Sequence, residues 1–229
     1  MGLILSIETA ISVCSVALHR DGKLLGSLEL HQDNVHSQKL MPVIDALLSQ
    51  AGVRTDDLQA IAISAGPGSY TGLRIGVSTA KGLAYAHDLP LIAIDTLDAL
   101  AFRLNDIVDP NDFIVPVIDA RRMEVYQKVL DGGMNERSPL EPLIIDESSF
   151  VEFLDKGKVY FLGDAVFKIK NEVKHHNARF VNLVNSAVSV GELASKKFIA
   201  NDFVNVAYFE PNYLKEFRVI TSKKNPLLS

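Results

Sequence analysis

Between Leu58 and His87 the chain switches its hydrophobic period within a few residues, and that switch fixes a local architecture. The mostly apolar run Leu58–Ile63 reads as a buried strand. It breaks at Gly66-Pro67-Gly68, and a helical pattern rich in small residues then continues to about His87. Ser69 and Thr71 stand at the junction as hydroxyl N-cap candidates. A strand, a glycine turn and a helix N-terminus in succession bring free backbone N–H groups and a positive dipole end together, as an anion cradle needs. The segment I-S-A-G-P-G-S-Y-T-G-L-R-I-G (63–76) matches neither G-x-x-x-x-G-K-[ST] nor G-x-G-x-x-G and carries no lysine. The residues leave two readings open. The glycines cradle an anion, or they permit a tight turn and close packing.

The pattern around this segment is regular. Leu3–Ile7, Val13–His19 and Leu24–Leu30 read as strands, the last two joined by a turn whose Asp21-Gly22 centre suits a two-residue hairpin. Helical spacing follows from His36 to about Ala51, and Leu91–Ile94 reads as a further strand. Hairpin-joined strands followed by alternating helices and strands predict an α/β layer fold. After the turn-rich Asp109-Pro110-Asn111-Asp112 a shorter set begins. Phe113–Ile118, Glu124–Leu130, Leu143–Ile145 and Val159–Leu162 read as strands, Phe150–Leu154 and Val188–Ala200 as helices, and Asp131–Pro142 as a loop. The expected division is 1–100 and 101–229, with a tail from about Asn201 free to fold back on the first domain.

A formal charge of −5, with no lysine/arginine run longer than a pair, argues against independent binding to nucleic acid. No apolar stretch reaches the roughly 18 residues of a membrane span. Glu8 interrupts the N-terminal apolar run, which has no basic flank, so a signal peptide is not expected. The single Cys14 lies in a strand pattern and reads as a small buried hydrophobe. A cytoplasmic protein is the expectation.

G-P-G-S-Y-T-G-L-R-I-G, preceded by L-S-I-E-T-A (Leu5–Ala10), closely resembles the signature of the TsaB (YeaZ) family. I-D-A-R-R-M-E-V-Y (Ile118–Tyr126) and E-P-N-Y-L-K (Glu210–Lys215) add matches in the same order along nearly the whole chain. The resemblance implies a two-domain actin-like α/β fold with a ribonuclease-H-like core in each half. It also implies a non-catalytic dimerisation subunit of the machinery that makes threonylcarbamoyladenosine in tRNA. Such a subunit would bind the catalytic paralogue TsaD, help recruit the ATPase TsaE, self-associate when alone, and meet tRNA only through the complex.

Actin-like ATPases hold phosphates between two hairpin loops, one per domain. Here the loops are Glu8–Ser12 and Asp119–Arg122, and neither contains glycine. Thr9, Ser12, Gly66, Gly68, Ser69 and Arg121 are the candidates for an anion or nucleotide cleft. Without loop glycines no nucleotide is expected to be held tightly, and only weak ATP or ADP binding stays open. TsaD carries H-x-x-x-H after the strand matching Leu91–Ile94, whereas this chain has Thr96 and Leu100 at those two positions. Adjacent His175 and His176 would point apart on any regular element, and His36 reads as a helix-start residue. No metal is expected. The rival enzymatic readings, an actin-superfamily ATPase or kinase and a metal-dependent glycoprotease, therefore lack their sites.

Two helices offer surfaces instead. On the first, Leu40, Met41, Ile44 and Leu48 belong to an apolar arc of about 160°, wider than the roughly 100° a helix needs for its own core. Met41 and Leu48 form the surplus edge. On the second, Gly72, Gly76, Ala80 and Ala84 make a seam without side-chain bulk, edged by Arg74 and Lys81. The expectation is a paired-helix platform for a partner, with packing on the chain's own sheet as the other reading of the seam.

Overall fold

The computed structural model describes residues 2–214. Two five-stranded sheets repeat one topology. The first runs β3-β2-β1-β4-β5, formed by β1 (Leu3–Glu8), β2 (Cys14–Arg20), β3 (Lys23–Leu30), β4 (Ala60–Ser64) and β5 (Leu91–Ile94). Its first three strands are antiparallel and the last two join β1 in parallel. The second runs β10-β9-β6-β7-β8. It is formed by β6 (Phe113–Asp119), β7 (Glu124–Asp131), β8 (Glu136–Ile144), β9 (Val159–Leu162) and β10 (Ala178–Val181). The same antiparallel-then-parallel order recurs. A duplicated α/β half-unit follows from this.

Local chemistry explains the turns. Asp21 and Gly22 both take left-handed φ, so the β2–β3 connection is the tight hairpin that an Asp-Gly pair favours. The segment expected as a loop, Asp131–Pro142, belongs mostly to β8. Its Pro139 and Pro142 are tolerated because β8 is an edge strand, whose outer N–H groups need no partner.

The helices cross between halves. α1 (His36–Gln50) and α2 (Tyr70–Ala86) cover one face of the first sheet. α3 (Thr96–Phe102) leaves β5 of the first sheet but packs on β6 and β7 of the second. α4 (Val151–Leu154) and α5 (Val166–Glu172) pack on the other side of the second sheet, with Phe153, Leu154 and Ile169 in its core. α6 (Ala187–Ile199) leaves the second sheet and covers the free face of the first, against β1, β2, β4 and β5. This corrects the division at residue 100, because the sheet face that α6 buries lies in the first half. Each half lends the other a helix.

Residues 204–214 also lie on the first half as a strap. Val204 N donates to Leu91 O (2.9 Å), and Asn212 N donates to Ala65 O (2.7 Å). Lys81 Nζ donates to the carbonyls of Ala207 and Phe209, each at 3.0 Å. Lys215, the last residue of the tail match, lies outside the described residues.

Beneath α6, on β2, His19 is fully buried with neither ring nitrogen partnered, and burial lowers its pKa to about 4. A folded-state pKa below the ordinary value means the ring's contribution to stability is complete above about pH 6.5 and is lost as pH falls through 4. An imidazole titration by NMR should therefore find His19 uncharged at about pH 5. Titration at the ordinary histidine value would contradict the burial.

Candidate functional site

A cleft of 1220 Å³ separates the halves. The first half lines it with Ser12, His36, Gly68, Ser69 and Thr71, the second with Asp119, Arg121, Arg122 and Asp164, and the strap with Tyr213. The cleft therefore brings together four of the six anion candidates: Ser12, Gly68, Ser69 and Arg121. Thr9 and Gly66 are elsewhere.

The reason is what the glycine segment touches. A Cβ on Gly66 would lie 2.6 Å from Asn212 O of the strap, and one on Gly68 would lie 2.4 Å from Ala10 O. A Cβ on Gly72 would lie 2.1 Å from Thr9 O, and one on Gly76 2.1 Å from Thr9 Oγ1. Each glycine thus admits a piece of the chain's own backbone or loop. Thr9, fully buried, donates from Oγ1 to Gly72 O (2.9 Å), and Ser69 N donates to Ala10 O (2.6 Å). The loop Glu8–Ser12, the first candidate phosphate loop, is sealed by the segment that was read as an anion cradle. Close packing is the reading that the contacts support. Ser69 caps α2 as its hydroxyl suggests, accepting from Gly72 N at 3.3 Å.

The partner seam needs the same correction. Gly72, Gly76, Ala80 and Ala84 are buried, and Gly76 also meets Ile63 of β4. Leu40, Ile44 and Leu48 lie in the core of the first half. Leu48, expected on a surplus edge, is buried in that core. Lys81 is held by the strap, so it is not a free member of the polar edge. Of the partner candidates, Met41, 49% exposed, and Arg74, whose guanidinium stands 4.2 Å over the Tyr70 ring, remain outside. Tyr70 in turn packs on Tyr213 at 5.0 Å.

In the second loop the aspartate is paired. Lys168 Nζ donates to Asp119 Oδ1 (2.7 Å) and to Glu124 O (3.0 Å). Asp119 Oδ1 also accepts from Arg121 N (2.5 Å), which steadies the left-handed φ of Arg121 and Arg122 in a tight hairpin. Asp119 N donates to Asp164 Oδ1 (2.9 Å), and burial, with Asp119 close by, pushes the Asp164 carboxyl up to about 6. Sequence reasoning missed Asp164 and Lys168, which no motif marks. The repeat of strand order was the available signal, since it places residue 164 after β9 where the glycine loop follows β4.

Thr96, at one of the two histidine positions, is buried. Its Oγ1 accepts from Gly66 N (2.9 Å) and its carbonyl accepts from Asn185 Nδ2 (3.0 Å). Leu100 lies in the core between α3 and the second sheet. His36 begins α1 and binds Ile11 O through Nε2 at 2.7 Å. His175 and His176 do not point apart: they occupy an irregular turn with ring centroids 4.4 Å apart. Among the described residues no group of three or more His, Cys, Asp or Glu could hold a metal ion, and no helix is long and apolar enough to cross a membrane.

Comparison with known proteins places this architecture. The Haemophilus influenzae tRNA threonylcarbamoyladenosine biosynthesis protein TsaB is 38% identical over 234 aligned positions, covering 97% of each chain. The chain belongs to the TsaB family. The Escherichia coli TsaB is 37% identical over 154 positions, 63% of this chain and 64% of that protein. The family model of TsaD, tRNA N6-adenosine threonylcarbamoyltransferase, matches residues 25–135. YeaZ from Pseudomonas aeruginosa superposes with a TM-score of 0.82 at 28% identity, over 93% of this chain and all of that one. The activator of 2-hydroxyisocaproyl-CoA dehydratase from Clostridium difficile, solved with ADPNP, superposes at 0.51 with 9% identity, covering 89% of this chain and 98% of that one. That likeness shows the actin-like fold alone.

Proposed function

We propose that this chain is a non-catalytic subunit of the machinery that forms threonylcarbamoyladenosine in tRNA, working by binding a TsaD-like transferase. The observation that carries the reading is the end-to-end match to a TsaB protein, joined to the way the glycine segment is used. A loop without glycine, whose Ala10 carbonyl and Thr9 hydroxyl are already bonded to α2, is poorly made to wrap phosphates. On this reading no nucleotide is held tightly and the chain alone does not turn over ATP. Its contribution is positional, keeping the transferase in a productive arrangement and helping recruit TsaE. The net charge of −5 fits a subunit that meets tRNA only through the complex, in the cytoplasm.

The partner face assigned here is the outer side of α1 and α2, centred on Met41 and Arg74. Without the transferase the same face would serve self-association. Met41→Asp and Arg74→Glu should each weaken binding to the TsaD homologue by at least about tenfold while leaving the melting temperature within about 1 °C. Co-purification and calorimetric titration of the two proteins, with melting curves alongside, test this. Binding at wild-type strength by both variants would remove the face, whereas no binding by the wild-type chain would remove the function.

A further inference from the structure

The two faces of the first sheet differ in chemistry. Under α1 and α2 lie apolar residues such as Leu5, Ile7, Val16 and Ile63. Under α6 lie Ser6 and Glu8 of β1, Ser15 and His19 of β2 and Ser64 of β4, all fully buried. Buried side-chain atoms without a hydrogen-bond partner gather here: Ser6 Oγ, Glu8 Oε2, both nitrogens of His19, and Asn185 Oδ1 on the crossover between β10 and α6.

Glu8 is the group whose charge state matters most. Its Oε1 accepts from Ala10 N (2.5 Å) and from Ser64 Oγ (3.0 Å). The Asn185 side chain faces the same carboxyl. The duplicated half gives the carboxyl at this place in the fold a cationic partner. There Asp119, the last residue of β6 as Glu8 is of β1, reaches the surface and pairs with Lys168. Among the described residues no cation pairs with Glu8. β2 offers Ser15, β4 offers Ser64, and the crossover offers Asn185 and Ser186. α6 brings Ser189 and Gly191 to this face. The titratable neighbours are His19, farther along β2, and Glu29 of β3, which accepts from Ser15 Oγ and Ser186 Oγ. A fully buried carboxylate without a cation is costly to ionise, so the neutral acid is the favoured form.

We propose that Glu8 is a proton-operated latch between the halves: as the neutral acid it seats the 183–187 crossover and the start of α6 on the first sheet, and its ionisation loosens that joint. Burial pushes the carboxyl up to about 7, which sets the change near neutral pH. With the folded-state value raised, the latch is fully closed below the ordinary carboxylate range and opens as pH rises through 7. The joint has a route to the cleft. Asn185 donates to Thr96 O, Thr96 accepts from Gly66 N, and Gly66 opens the segment that seals the loop after Glu8.

Hydrogen–deuterium exchange over residues 183–193 of the intact chain, corrected for intrinsic exchange, tests the latch. Protection in the wild type should fall about tenfold between roughly pH 6 and pH 8, one unit beyond the midpoint, and should stay level in Glu8→Gln. Infrared titration gives a second readout. A protonated buried carboxyl band should bleach with a midpoint near 7, persist in Asp164→Asn, which removes the carboxyl raised to about 6, and vanish in Glu8→Gln. If Glu8→Gln does not fold, the midpoint in Asp164→Asn decides alone. Level protection in the wild type, or no carboxyl titrating near 7 in Asp164→Asn, overturns the proposal. Either result leaves the TsaD-binding reading untouched.

Discussion

Gly72→Ala and Gly76→Ala should each cost this chain its fold before they cost it a partner. A single methyl at residue 72 would lie 2.1 Å from the Thr9 carbonyl oxygen, and backbone at the sealed loop has nowhere to go. At residue 76 the methyl would lie 2.1 Å from Thr9 Oγ1 and 3.0 Å from the Ile63 methyl, so the Thr9 hydroxyl must swing away from Gly72 O. Overpacking of this kind costs about 1–3 kcal/mol, and a buried acceptor left unpaired adds about 1–3 kcal/mol more. At residue 72 the strain falls on backbone, so the upper part of that range applies. Urea unfolding and soluble yield measure it. The Thr9→Ala/Gly76→Ala pair should recover part of the loss seen in Gly76→Ala, because removing the hydroxyl makes room for the methyl. A Gly72→Ala variant as stable as the wild type would mean that the α2 contact with Thr9 is not as close as described.

That expectation reverses what the helix pattern alone predicts for the same residues. The four-residue spacing of Gly72, Gly76, Ala80 and Ala84 correctly marks one face of α2 as bare. It does not say what fills the space, because the answer, Thr9, is more than sixty residues away in a loop with no helical pattern. Local signals were legible where local chemistry decides: the Asp21-Gly22 hairpin, the Ser69 cap, and the alternation of strands and helices in the first half. The second half was harder to read because its elements are short. α5 has seven residues and β10 has four, too few for a period to stand out. The exchange of α3 and α6 was not legible at all. Each helix is amphipathic for whichever sheet it meets, and connectivity alone assigns it to its neighbours in sequence. The cleft was legible in part, since hydroxyls and arginines near turns mark polar walls. The raised carboxyls, Glu8 under α6 and Asp164 in the cleft, owe their altered acidity to surroundings that only the tertiary fold supplies.

The exchange of helices makes the joint between halves a stability determinant, and Lys128 is where it can be tested. This β7 lysine is buried, yet its Nζ lies 2.6 Å from Asp98 Oδ1 and 3.3 Å from Asp95 Oδ1. Both carboxylates belong to the start of α3, the helix that leaves the first sheet to pack on the second. Asp95 also caps that helix, accepting from Leu97 N and Asp98 N at 2.9 Å each. Burial works against the Lys128 ammonium, but the two aspartates outweigh it and hold its pKa above the ordinary lysine value. Burial raises the Asp95 carboxyl even with the lysine beside it. Lys128→Met should leave two carboxylates facing an apolar stem, costing about 3 kcal/mol and lowering the melting temperature by roughly 10 °C. The lower end of the range for broken buried pairs applies because Asp98 is 40% exposed and can turn to water. The deficit has a pH signature. Without the lysine the Asp95 carboxyl rises further, so its charge costs the fold more, and protonation on acidification removes that cost together with the repulsion from Asp98. The gap between variant and wild type should therefore narrow as pH falls from about 7 to about 5. Asp98→Asn placed on Lys128→Met should return part of the loss by removing one of the two charges. Denaturant curves at both pH values separate this account from simple loss of packing, which would give a pH-independent gap and no rescue.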